Sequence, residues 1–244
     1  MKYSMIAATD VGSVRPLNED SVRIVPEMNI AVLADGMGGH KAGEIASRMA
    51  VNALCNYFEE QYLINEGNNT VNTLDVVAEA ITTANSEVYS NGRKMSQMEG
   101  MGTTLVTACF LDNQLHIGHI GDSRCYRFSS GELEQLTTDH TLANDLLMDN
   151  PDGHVPSYSH HVLKKALGIE SRCEPDVFSI EVKPKDIFLM CSDGLNGVVE
   201  DADISTILAL RAHEPELCID TLIRACLVNG APDNISIVLI FATS

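Results

Sequence analysis

The sequence predicts an α+β layered fold, and three observations carry that expectation. Short β-type runs cluster near both ends and in the middle of the chain, helical patterns fall in pairs between those clusters, and turn residues mark the joins. Helix pairs set between antiparallel-looking strand clusters do not match the strict strand–helix alternation of a parallel sheet. The 244 residues fit one large domain with length to spare for a packed core. Neither an internal repeat nor a linker divides them, so we expect a single unit over residues 1–244.

The elements follow in order. Residues 3–9, 21–25 and 30–34 are short apolar runs separated by turn residues and read as strands. A helix over about 43–62 follows from Ile45, Ala46, Met49, Ala53, Tyr57 and Phe58, which share one stripe at helical period. A second helix over about 72–95 places Leu74, Val77, Ala78, Ile81, Ala84 and Val88 the same way, and the polar run 66–70 joins the two. Leu105–Leu111 and Leu115–Ile120 flank Asp112-Asn113, a hairpin signal, and Ser129-Ser130-Gly131 marks a second hairpin. A further strand pair is expected around residues 183–186. Helices are expected over about 201–211 and from Pro215 to just before Gly230, the second with proline in its first turn and glycine past its end. Ile235–Phe241 is the last strand, and the polar stretch 149–161 reads as a loose excursion.

Composition excludes several function classes. Formal net charge is −18, from 34 acidic and 16 basic residues. A chain of that sign does not bind nucleic acid or anionic membrane non-specifically. A solvated acidic surface accounts for most of the excess. The seven cysteines form no Cys-x-x-Cys pair, and most lie in apolar runs, so each reads as a buried thiol in a reducing compartment. Cys218 and Arg224 have the spacing of a thiol phosphatase loop, but the residues between them lack glycine and read as helix. No signal-peptide core opens the chain, and no apolar run approaches the roughly 20 residues of a membrane helix. A cytoplasmic protein is expected.

Five short acidic motifs carry the chemistry: Arg15-Pro-Leu-Asn-Glu19-Asp20, Asp35-Gly36-Met37-Gly38-Gly39-His40, Gly121-Asp122-Ser123-Arg124, Ser192-Asp193-Gly194 and Pro232-Asp233-Asn234. In each, a carboxylate stands where an apolar run meets a turn, a rigid position from which side chains can converge. Gathered carboxylates repel one another, and a hard divalent cation is the usual remedy. Oxygen ligation favours Mg²⁺ or Mn²⁺ over zinc. Singly, Asp-Gly and Asp-Asn are common turn dipeptides. It is their joint occurrence in this order that points to a metal centre.

Competing readings fail on particular residues. Asp35-Gly-Met-Gly-Gly is not a dinucleotide fingerprint, because Lys41 stands at the third glycine position and Asp35 would repel a pyrophosphate. His116 and His119 project to opposite faces of one strand and cannot form a zinc pair, and a metal role for His154, His160 and His161 in their polar loop is not expected. His40 and His140 each sit beside a motif, and for both a structural role ranks above proton donation. Asp201-Ala-Asp203 has the spacing of an aspartyl phosphatase motif but opens a helix instead of ending a strand.

Taken in order, Arg15-x-x-Asn-Glu19-Asp20, Asp35-Gly-Met-Gly-Gly-His, Gly102-Thr-Thr, Gly121-Asp122-Ser-Arg, Ser192-Asp193-Gly and Asp233-Asn234 resemble the metal-dependent serine/threonine protein phosphatases of type 2C. The Met-Gly-Gly-His wording resembles the family's bacterial branch, and the match runs from about residue 4 to 241. The resemblance implies a four-layer α-β-β-α sandwich, two antiparallel sheets flanked by helix pairs, with a flap at about 139–168. It implies Mg/Mn-dependent hydrolysis of phosphoserine and phosphothreonine in proteins, by a metal-activated water and without a phosphoenzyme. Asp35 would bridge two metals, the Gly36 carbonyl would hold the first, and Glu19, Asp193 and Asp233 would serve the second. Asp122, with Asp193, would bind a third ion weakly. Asp20 and Asn234 would support the cluster from behind, and Arg15 would hold the substrate phosphate. Eukaryotic members place a histidine after Asp-Gly where this chain has Met37, so the leaving group must take its proton elsewhere. The implied partners are phosphoprotein substrates of a Ser/Thr kinase, met by a monomer. A catalytically dead binding module and a hydrolase of small phosphate esters are the rivals, and the intact Glu19, Asp35, Asp193 and Asp233 disfavour the first.

Overall fold

Apolar side chains on this chain divide into three buried layers, and the alternation along each strand decides which layer a residue joins. We describe the computed structural model over residues 1–38, 42–65, 73–94, 96–151, 153 and 155–243. The order begins with strands β1 (Lys2–Asp10), β2 (Asp20–Val25) and β3 (Ile30–Met37), then helices α1 (Ala42–Ile64) and α2 (Leu74–Gly92). Next come β4 (Gly102–Thr103), β5 (Leu105–Leu111), β6 (Gln114–Ile120), β7 (Arg124–Ser129) and β8 (Glu132–Gln135). A crossing segment holds helix α3 (Leu142–Asp149) and leads to β9 (Asp176–Glu181) and β10 (Ile187–Cys191). The chain ends with α4 (Asp193–Asn196), α5 (Asp201–Arg211), α6 (Pro215–Val228) and β11 (Ile235–Thr243).

One antiparallel sheet has the order β1-β11-β10-β7-β8, and the other has β2-β3-β5-β6-β9, with β4 beside β3. On β11, Ile235, Ile237 and Leu239 turn toward α5 and α6, while Val238, Ile240 and Ala242 turn toward the second sheet. On β3, Ile30, Val32 and Ala34 pack under α1 and α2, and Ala31 and Leu33 face the first sheet. Strands buried on both faces read as continuous apolar runs, which is how β10 and β11 read. The result is the four-layer sandwich of two antiparallel sheets between helix pairs.

Two expectations need correction. The strands either side of residues 183–186 do not pair with each other: β9 pairs with β6 and β10 with β7 and β11, so this connection passes between sheets. Lys185, at φ 75°, makes the turn. Helices α3 and α4 lie where no helix was expected. Residues 72 and 95, the expected ends of the second helix, lie outside the described residues, as do His40 and His154.

Candidate metal centre

The strand registers bring the acidic motifs to one end of both sheets. Asp20 and Asp35 are Cα partners across β2 and β3. Leu33 pairs with Val106 and Leu105 with Ile120, so the end of β3 lies beside the start of β5 and the end of β6, where Asp122 follows. In the other sheet Cys191 pairs with Ile237, which places Asp193 and Asp233 together.

Backbone hydrogen bonds then fix Asp35 and Glu19. The Asp35 N–H donates to Thr104 Oγ1 at 2.9 Å, and its carbonyl accepts from the Thr103 hydroxyl at 2.8 Å. Thr104 Oγ1 also meets Ser123 Oγ at 2.7 Å, tying Asp35 to the turn that carries Asp122. The Glu19 N–H donates to Asn234 Oδ1 at 2.8 Å, and the Glu19 carbonyl accepts from the Ser47 hydroxyl at 2.6 Å and the Gly36 N–H at 3.1 Å. The Asn234 amide donates to the carbonyls of Val11 and Leu17, 2.9 Å each, and so holds the loop bearing Arg15. Arg15 Nη2 is 2.7 Å from Asp233 Oδ2.

A cleft of about 820 Å³ opens above these clamps, lined by Arg15, Glu19, Asp35, Gly36, Asp122, Asp193, Asp233 and Asn234. Asp20 does not line it. It is 9% exposed, lies behind the others and accepts from the Ser192 hydroxyl at 2.8 Å. The opposite wall comes from the crossing segment, which contributes His161, Lys164 and Lys165.

Electrostatics mark the cluster as short of positive charge. Burial pushes Asp122 up to about 7, with Asp193 and Asp139 adding to the shift. Burial likewise raises Asp20 to about 6 against the pull of the Ser236 and Ser192 hydrogen bonds. Asp35 is pushed well above the carboxylate range by burial and then by Asp20, Asp193 and Asp122. Asp193 and Glu19 are raised too, by burial first. Buried carboxylate oxygens Glu19 Oε1, Asp20 Oδ1 and Asp193 Oδ1 have no hydrogen-bond partner among the described residues. Orphaned oxygens in an all-oxygen donor set suit a hard divalent cation, so the residues present fit Mg²⁺ or Mn²⁺.

Sequence reasoning missed the hydroxyls of Thr104, Ser123 and Ser192, which hold the acids in place. Their only signal is adjacency: Ser123 and Ser192 stand next to Asp122 and Asp193 within the motifs, and Thr104 stands in the Gly102-Thr-Thr run. It also gave no site role to His161 or Lys165, whose loop neighbours in sequence say nothing about the cleft they reach.

The comparisons agree with this geometry. The protein phosphatase 2C family model matches residues 15–218. The serine/threonine phosphatase stp of Listeria monocytogenes (serovar 1/2a) is 33% identical over 238 residues, spanning 95% of this chain and 93% of the relative. PstP of Mycobacterium tuberculosis (strain H37Rv) is 35% identical over 237 residues, 96% of this chain and 44% of the longer relative. Among solved structures, the PstP catalytic domain in complex with two manganese ions superposes with a TM-score of 0.87 at 33% identity, covering 99% of both chains. Stp1 from Staphylococcus aureus gives a TM-score of 0.88 at 30% identity, covering 100% of this chain and 96% of that one. The chain therefore belongs to the protein phosphatase 2C family, as a metal-dependent serine/threonine protein phosphatase of the bacterial type.

Proposed function

We propose that the chain hydrolyses phosphoserine and phosphothreonine in proteins by direct attack of water on phosphorus, without a phosphoenzyme intermediate. The observation that carries this reading is the set of carboxylates at the floor of the cleft, raised by burial and then by one another, with orphaned buried oxygens among them. Glu19, Asp35, the Gly36 carbonyl, Asp193 and Asp233 would hold two divalent cations, as the PstP catalytic domain holds two manganese ions. Asp122, with Asp193, would take a third more weakly. Such cations, when bound, acidify a water and stabilise charge on phosphoryl oxygens.

The chain's own groups do the rest. The Arg15 guanidinium, half exposed at the cleft and anchored on Asp233, presents its remaining N–H groups to the substrate phosphate. Neither the Thr104 hydroxyl nor the Cys173 thiol on the lining is a ready nucleophile. The first is engaged by the Asp35 N–H and Ser123, and burial raises the second and keeps it protonated. Met37 also lines the cleft and has no proton to give a leaving group. The substrates would be products of a Ser/Thr protein kinase, met by a cytoplasmic monomer. Among the described residues no helix is long and apolar enough to cross a membrane.

The test is phosphate release from a phosphothreonine peptide in ¹⁸O water, with Mn²⁺ and with EDTA. We expect metal-dependent release carrying one solvent oxygen, no acid-stable or trapped phosphoenzyme, and a loss of about 10²–10³-fold or more in Asp193→Asn. A labelled phosphoenzyme, or full activity in EDTA, would overturn the reading.

A further inference from the structure

His119, His140 and Asp176 present ligand atoms that all lie within 4.8 Å of one another. Two imidazoles and a carboxylate have the composition of a zinc site. Proton accounting excludes it. The Gly121 N–H donates to His140 Nδ1 at 3.1 Å, so that nitrogen carries no proton. Burial lowers the His140 pKa and favours the neutral ring, whose single proton must then sit on Nε2. Nε2 therefore has no lone pair for a metal. It faces Asp176 Oδ2 instead, 3.2 Å away.

What this arrangement does is grip Gly121. The His140 backbone N–H donates to the Gly121 carbonyl at 2.8 Å while its ring accepts the Gly121 N–H, so one residue takes both polar groups of the glycine. Gly121 has φ 110°, and a Cβ there would lie 2.7 Å from Thr104 Cβ. The turn that delivers Asp122 is thus pinned by His140 on one side and by the Thr104–Ser123 hydroxyl pair on the other. The His140 carbonyl also accepts from the Lys164 N–H at 2.8 Å, joining the two ends of the crossing segment at the same point. The ring is wedged against His119, centroids 4.8 Å apart, and Asp176 is the Cα partner of His119 across β6 and β9.

We propose that His140, oriented by Asp176, is a positioning residue that sets the Asp122 carboxylate and thereby the affinity of the weak cation site. The inference rests on the reading of Asp122 as a ligand for that ion.

Mn²⁺ binding, counted by the electron paramagnetic resonance of free Mn²⁺, tests it without relying on turnover. His140→Phe keeps a ring and removes the acceptor, whereas His140→Asn returns an amide oxygen near the place of Nδ1. We expect His140→Phe to keep two tight ions and to weaken the third by about 10–100-fold, and His140→Asn to recover most of that loss. Combining His140→Phe with Asp122→Ala should be no worse than Asp122→Ala alone. Wild-type affinity for the third ion in His140→Phe, with Asp122→Ala impaired, overturns this inference only. Wild-type binding in Asp122→Ala overturns the ligand reading and this inference with it. If His140→Phe does not fold, Asp176→Asn decides: selective loss of the third ion supports the proposal, and wild-type affinity overturns it.

Discussion

Gly36 is where β3 meets the first turn of α1, and the missing Cβ lets them meet. A Cβ there would overlap the Gly43 carbonyl and lie 2.6 Å from the Glu19 carbonyl oxygen. Both contacts are backbone, so neither can swing aside. Gly36→Ala should cost about 2–3 kcal/mol in urea denaturation and weaken Mn²⁺ binding, because the displaced segment carries Asp35 and Glu19. An unchanged midpoint would mean α1 moves freely, contrary to its packing. Arg15 makes the opposite prediction. Its pair with Asp233 is solvent-exposed, and exposed pairs contribute about 0–1 kcal/mol. Arg15→Ala should leave thermal stability within that range while raising KM for a phosphothreonine peptide about tenfold or more. Equal losses in stability and in KM would mark Arg15 as a structural anchor only.

At the scale of elements, burial on both faces sets the energetics. Leu239 is fully buried on the α5–α6 face of β11, away from the cleft. Leu239→Ala should destabilise by about 2–5 kcal/mol, read from urea unfolding, with kcat of the folded fraction unchanged. A large change in kcat would show that β11 transmits strain to Asp233. The same strands explain what was legible. Leu105–Leu111 and Asp201–Arg211 are found where the sequence put them, because apolar period and turn residues are local signals. Pairing is not local: β1 and β11 match Lys2 with Thr243, and no nearby residue announces it. Helix α3 escaped notice because it is 8 residues long and buries only Ala143, leaving too weak a stripe to read. Helix α4 has 4 residues and no side-chain cap. The acids stood out because each ends or starts an apolar run. The hydroxyl clamps did not, since serine and threonine are common in every turn, and only the fold shows that Thr104 meets both Asp35 and Ser123.

At the scale of the whole molecule, net charge of −18 and a carboxylate cluster at one end of the sandwich make stability depend on cations and pH together. Asp20 and Asp122 are raised from 3.8 to about 6 and about 7, so the folded chain holds protons that the unfolded chain gives up. The sign follows: their contribution is fully present below about pH 4 and is lost as pH rises through 6 and 7. Cation binding needs the deprotonated carboxylates, so its stabilisation grows over the same window. Metal-free protein in EDTA should therefore melt progressively lower between about pH 5 and pH 8. Saturating Mn²⁺ should raise the melting temperature little at about pH 5 and by about 5–10 °C at about pH 8. General charge repulsion also grows with pH, so the comparison needs NaCl at matched ionic strength, which screens the surface without occupying the cluster. A rise that NaCl reproduces, or one equal at both pH values, would place the effect on the acidic surface and not at Asp20, Asp35 and Asp122.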